Sequence, residues 1–97
     1  MNIGSTIRLL RKKKKISQKE LSELSNISQT YLSQLESGKR NPSIEILQSI
    51  GEVLEIPYQI IAFLSMDEDS IPMNKREQYK VIEPTLKGLI ETHFIKD

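Results

Sequence analysis

Residues 27–43 read "ISQTYLSQLESGKRNPS", and the fold turns on how this stretch is read. Ser28 is a good N-cap for a helix over about 28–37, and Gly38 stops it. At about 100° per residue, Gln29, Thr30, Ser33 and Gln34 share one arc of that helix. Leu32 and Leu35, bordered by Tyr31, occupy the other. An ordinary exposed helix face favours Lys and Glu, which solvate well and form helices well. This one carries four uncharged amide and hydroxyl side chains. Such groups can donate and accept hydrogen bonds toward the edges of bases.

The flanks strengthen that reading. Upstream, "SQKE" at 17–20 is a capping box, with Ser17 and Glu20 serving each other's backbone amides. Leu21 and Leu24 then form the buried stripe of a short helix ending near Ser25. Asn26 tolerates the left-handed turn that follows. Downstream, "SGKRN" supplies Lys39, Arg40 and Asn41 as donors to a nucleic-acid backbone. Gln18, at the amide-rich start of the second helix, can also meet a phosphate. Capped helix, tight turn, polar-faced helix and basic loop is the order a helix-turn-helix reader needs.

Helical spacing continues outward. Ile3, Ile7 and Leu10 mark a first helix over about 3–14. Ser43 caps a fourth, about 43–54, whose apolar positions are Ile44, Leu47, Ile50 and Leu54. Gly51 inside it costs about 1 kcal/mol against alanine, a cost that close helix–helix approach would explain. Pro57 opens a greasy fifth helix, about 57–65. "MDEDSIPMN", 66–74, reads as an acidic linker. "KREQYKVI" suggests a short helix. Pro84 opens a last one to about Phe94, striped by Leu86, Leu89, Ile90, His93 and Phe94. Two units are expected: 1–65, and a tail over 66–97.

Composition excludes several classes of function. Ninety-seven residues make one modest core. No run of about 18 apolar residues occurs, so no membrane span is expected, and "MNIGSTIRLLRKKKK" lacks a signal peptide's apolar region. The absence of cysteine excludes disulfides and thiolate metal sites and fits a reducing cytoplasm. His93, the one histidine, cannot make a metal site alone. No catalytic triad, paired-carboxylate site or phosphate-binding glycine loop is visible, so neither an enzyme nor a cofactor is expected. The net charge of +1 hides an asymmetry. Residues 1–42 carry nine Lys/Arg against three Asp/Glu, and residues 43–97 five against ten. The first part should attract polyanions.

The run "ISQKELSELSNISQTYLSQLESGKRNPSIEILQSIGEVLEI" closely resembles the Cro/C1-type, or XRE-type, helix-turn-helix family over about residues 4–65. "SQKEL" and "LSQLESGKRNPS" carry the likeness in family spacing. The resemblance implies an all-α, five-helix lambda-repressor-like domain, here with a short C-terminal helical extension. It implies double-stranded operator DNA as ligand and a homodimer on a palindrome. By matched position, Gln29, Thr30, Ser33 and Gln34 would face bases. Gln18 would touch phosphate and buttress Gln29. Ser28, Lys39, Arg40 and Asn41 would hold phosphates, and Tyr31 would sit half-buried at the groove edge with a phosphate contact. Glu36 would be structural, paired with the basic loop or capping a neighbour. The chain departs from the family at Lys15, where a glycine usually closes the first helix, and at Ser22, usually alanine.

"RKKKK", 11–15, suits the negative end of a helix dipole and adds non-specific DNA affinity. Arg11 and one or two of the lysines are expected to reach phosphate. For the tail, dimerisation with the fifth helix is the leading expectation. The alternatives are a fold-back onto its own chain and a contact with another small protein. A stand-alone repressor, a restriction–modification controller and an antitoxin are the roles open to such a chain.

Overall fold

The computed structural model describes residues 2–96. Five helices form the first unit: α1 (Ile3–Lys13), α2 (Gln18–Leu24), α3 (Gln29–Glu36), α4 (Ile44–Leu54) and α5 (Tyr58–Ser65). A sixth, α6 (Arg76–Ile90), runs on into a wider turn over Glu91–Ile95. No described helix is long and apolar enough to cross a membrane.

Short polar residues start four of these helices. Asn2 accepts from the Ser5 amide at 2.8 Å. Ser17, Ser28 and Ser43 accept from Glu20, Tyr31 and Ile46 at 3.0, 3.0 and 3.2 Å. The Ser17–Glu20 capping box is complete. Each cap satisfies an amide the first helical turn leaves without a partner.

The helix ends use left-handed residues. Lys15, Asn26 and Glu55 each have φ 59°, and Gly38 has φ +83°. The first helix therefore closes on a left-handed lysine, at a cost of about 1 kcal/mol, and the turn is not reshaped to avoid it. Three of these four left-handed stops, Lys15, Asn26 and Glu55, are not glycine; asparagine tolerates the conformation readily, and the lysine and glutamate carry its cost.

The core is Ile7, Leu10, Leu21, Leu32, Leu35, Leu47, Ile50, Leu54, Ile56 and Ile61. α1 lies between α3 and α5, α2 against α3, and α5 against α4. α1 and α3 approach so closely that a side chain on Gly4 would run into the Leu35 carbonyl. Ser22 is buried and donates its hydroxyl to the Lys19 carbonyl at 2.7 Å, so a residue this small keeps α2 packed.

Two leucine-stripe expectations fail. Leu24 and Ile44 are each 66% exposed. On the two turns of α2, Leu21, Ser22 and Ser25 already fill the inward face, which turns Leu24 outward. Ile44 keeps the register of Leu47, but it sits in the first turn of α4, past the packed surface.

Gly51 is explained by the close approach of α5 and of the turn that leads into it. A Cβ there would sit 2.6 Å from the Ile56 carbonyl oxygen and 3.3 Å from the Tyr58 nitrogen. The chain folds back over α4 as it enters α5. Gly51→Ala is expected to destabilise the domain by about 1–2 kcal/mol, because backbone overlap outweighs the gain in helix propensity. A thermal melt checks this: an unchanged or raised Tm would show that the crossing relaxes freely.

The tail departs most from expectation. Residues 66–74 hold helical turns at Glu68–Ser70 and, just beyond Pro72, at Met73–Lys75. The expected pair of helices is one, with Pro84 inside it. Proline lacks the amide and crowds the preceding turn, yet α6 continues through it, with Pro84 and its neighbours Val81, Ile82 and Thr85 exposed. Ile90 is buried, and Phe94 and Ile95 pack on the core. Lys13 and Glu91 pair at 3.6 Å. The Tyr79 hydroxyl donates to the Met66 carbonyl at 3.4 Å, and the neighbouring Glu83 carboxylate pushes the Tyr79 pKa up to about 12. The tail thus folds back, and the apolar side chains Ile60, Ile61 and Leu64 of α5 are used within the chain.

Candidate nucleic-acid interface

α2 and α3 are joined through Ser25–Ser28, with the Ile27 amide bonded to the Ser22 carbonyl at 3.0 Å. Leu32 and Leu35 are completely buried. Their burial fixes the rotation of α3 and presents its other face outward. Gln29, Thr30 and Ser33 are exposed there, and Gln34 is half-buried. All four expected base-facing residues therefore share one surface.

A chain of hydrogen bonds supports that surface from behind. Arg11 donates from Nε to Glu36 Oε2 at 2.8 Å and from Nη2 to Glu36 Oε1 at 3.0 Å. Its Nη1 donates to the Ile16 carbonyl at 3.0 Å. Gln18 Nε2 donates to Glu36 Oε1 at 3.3 Å, and Gln29 Nε2 donates to Gln18 Oε1 at 3.4 Å. The polarity is dictated by chemistry, since an ionised carboxylate only accepts. It turns the amide nitrogen of Gln18 toward Glu36 and leaves its oxygen for Gln29. The expected buttress of Gln29 by Gln18 is present.

Two assignments are corrected here. Arg11 is buried, and its guanidinium is spent on Glu36 and on the turn after α1. It is scaffold rather than a free phosphate ligand. Glu36 pairs with this arginine from α1, 25 positions away in the chain, and not with the basic loop or a neighbouring cap.

The loop after α3 presents Lys39, Arg40 and Asn41 in exposed positions. Its entry is set by Gly38 and by the Lys39 and Arg40 amides, which bond the Gln34 carbonyl at 3.0 and 3.3 Å. The Arg40 guanidinium lies 5.8 Å from the Tyr31 ring centroid, within cation–π range. Tyr31 is half-buried, as expected. Ser28 is exposed at the head of α3 and accepts the Tyr31 amide, which leaves its hydroxyl hydrogen to donate outward.

A residue absent from the sequence reading joins this surface. Arg8 is exposed and lines a cleft of about 320 Å³ with Arg11, Gln18, Ser33, Glu36 and Ser37. The available signal was its position three residues before Arg11, on the side of α1 that meets α3.

Residues 7–61 match the helix-turn-helix family. The immunity repressor protein of Bacillus phage phi105 is 29% identical over 79 residues, which cover 81% of this chain and 52% of that protein. The chain spans about half the length of that curated relative. Among solved structures, the clp gene regulator ClgR from Corynebacterium glutamicum superposes with a TM-score of 0.63 at 25% identity, covering 94% of this chain and 89% of the other. A SinR protein–SinI protein complex contains a chain with a TM-score of 0.61 at 28% identity, covering 89% and 80%. With more than half its length matched and the α2–turn–α3 geometry in place, the chain belongs to the Cro/C1-type helix-turn-helix family of transcriptional regulators.

Proposed function

We propose that the chain is a sequence-specific repressor that binds a palindromic operator as a homodimer, with α3 in the major groove. The observation that carries this reading is the buttressed, uncharged face of Gln29, Thr30, Ser33 and Gln34, with Lys39, Arg40 and Asn41 beside it. The face supplies donors and acceptors for base edges, and the loop supplies backbone contacts. Gln18 and Ser28 add phosphate contacts at the heads of α2 and α3. The role is binding rather than catalysis. Retention of fragments of the source genome on the purified protein, followed by sequencing, tests it. A short palindrome upstream of one or a few genes is the expected result. Its location separates repressor, restriction–modification controller and antitoxin. Retention without any motif would overturn sequence-specific reading.

The second copy docks on the outer face of α6. Val81, Ile82, Leu86 and Leu89 are 75, 50, 38 and 53% exposed. They offer an apolar centre for a standard interface, which takes about 800 Å² from each partner. On this reading the two-fold axis through the face sets the recognition helices about 34 Å apart, one turn of DNA. The surface differs from the one the sequence suggested, because Ile90 and Phe94 turn inward. Leu89→Lys is expected to weaken the dimer about tenfold or more, since it forces a charge into an apolar contact. Sedimentation at micromolar concentration checks this, and an unchanged dimer would exclude the α6 face.

A second reading has one observation in its favour. A structural neighbour was solved as a complex of two different proteins, SinR and SinI. On that reading α6 takes a different small protein, and a wild-type chain that sediments as a monomer would favour it.

A further inference from the structure

We propose that the cleft between α1 and α3 seats a phosphate of the DNA backbone and that Arg8 is its principal ligand. The inference rests on the DNA-binding reading above and adds a contact from α1. Arg8 and Arg11 are separated by a single helical turn, and their states are opposite. Arg11 is buried, and each of its three guanidinium nitrogens already donates a hydrogen bond. Arg8 is exposed, and among the described residues it has neither an ion pair nor a hydrogen bond.

The lining of the cleft suits a monoanion. It contains Arg8, Arg11, Gln18, Ser33, Glu36 and Ser37. Two guanidiniums face one carboxylate, which leaves a single excess positive charge. Glu36 does not repel an incoming anion strongly, because Arg11 and Gln18 cover both its oxygens. The Ser37 hydroxyl is spent on the Gln34 carbonyl at 3.2 Å. What remains for a ligand is the Arg8 fork, the Ser33 hydroxyl and the second amide hydrogen of Gln18, and the fork matches the planar recognition of phosphate oxygens.

The position of the cleft identifies the occupant. Ser33 belongs both to the cleft and to the exposed reading face of α3. A helix in the major groove has a phosphate strand along each rim, about 12 Å apart. Tyr31, with Arg40 over its ring, lies on one flank of the reading face. Arg8 lies on the other, beside Ser33 and Glu36. The basic loop thus serves one rim and α1 the opposite rim. A free phosphate ion would meet the same donors, but it would leave no trace in DNA affinity.

The test is anisotropy titration of a 30-base-pair random-sequence duplex across about 50–200 mM KCl, with the full chain. Arg8→Ala is expected to weaken binding about 3- to 10-fold near 100 mM and to reduce the slope of log K against log salt by about one unit per protomer. Arg8→Lys keeps the charge and is expected to restore most of the slope. Lys75→Ala removes an exposed cation from the turn before α6 and is expected to change neither quantity. Because Arg8 is unbonded, its variants should melt like the wild type. An unchanged slope for Arg8→Ala, or an equal effect from Lys75→Ala, overturns the seat while DNA binding stands. A wild type without salt-dependent binding overturns the DNA reading and the seat together.

Discussion

Glu36→Ala is expected to cost about 3–5 kcal/mol of folding stability, read as a shifted urea midpoint by circular dichroism. The Arg11–Glu36 pair is the reason. Its side chains are only 11 and 4% exposed, and its contacts are bidentate at 2.8 and 3.0 Å. Removing the carboxylate leaves a guanidinium inside the fold with one remaining acceptor, the Ile16 carbonyl. The cost is that of an unpaired buried charge rather than the worth of the bridge. Replacing both partners with methionine should therefore recover most of the loss, since nothing charged is then left behind. Small domains are stable by about 5–15 kcal/mol, so the single variant would approach unfolding. A loss below about 1 kcal/mol would place the pair with surface bridges, which water and salt screen. Among the described residues the three other ion pairs, Lys13–Glu91, Lys80–Glu68 and Lys87–Glu83, are all more exposed, and none is expected to approach this value.

What could be read from the sequence was local. The caps at Ser17, Ser28 and Ser43 depend on residues three apart, and Asn26 and Gly38 on the conformations those residues tolerate. The split of α3 followed from helical period, because Leu32 and Leu35 define a face unaided. Long-range pairing was harder to see. Arg11 stood in a run of cations and looked like part of a solvated strip; its partner lies 25 residues on. Arg8 was overlooked for the same reason, since its interest comes from α3 lying beside α1. Leu24 and Ile44 failed because a stripe of two residues does not state which neighbours cover it. Pro84 was read by its backbone preference, which is a local rule. The helix nonetheless continues through Pro84, and the tail is anchored beyond it, where Ile90 is buried and Phe94 and Ile95 pack on the core.

Gln29→Ala is expected to lower affinity for the selected operator by about 1–3 kcal/mol per half-site and to leave random DNA bound as before. The structure specifies which base should be released. Glu36 accepts from Gln18, Gln18 accepts from Gln29, and one amide hydrogen of Gln29 is thereby committed. The Gln29 oxygen and its second amide hydrogen remain. An acceptor beside a donor matches adenine, which offers the N6 amino hydrogen and the N7 lone pair in the major groove. Repeating the genomic selection with the variant should therefore relax one A·T position in each half-site and keep the others. The slope against salt should not change, because no charge is removed. Backbone contacts hold the protein on any duplex, so a base reader must show itself as a difference between sequences. Equal loss on operator and random DNA would sink the assignment and make Gln29 a support for Gln18 at the phosphate. A relaxed G·C position would preserve base reading but reverse the amide, and with it the polarity imposed by Glu36.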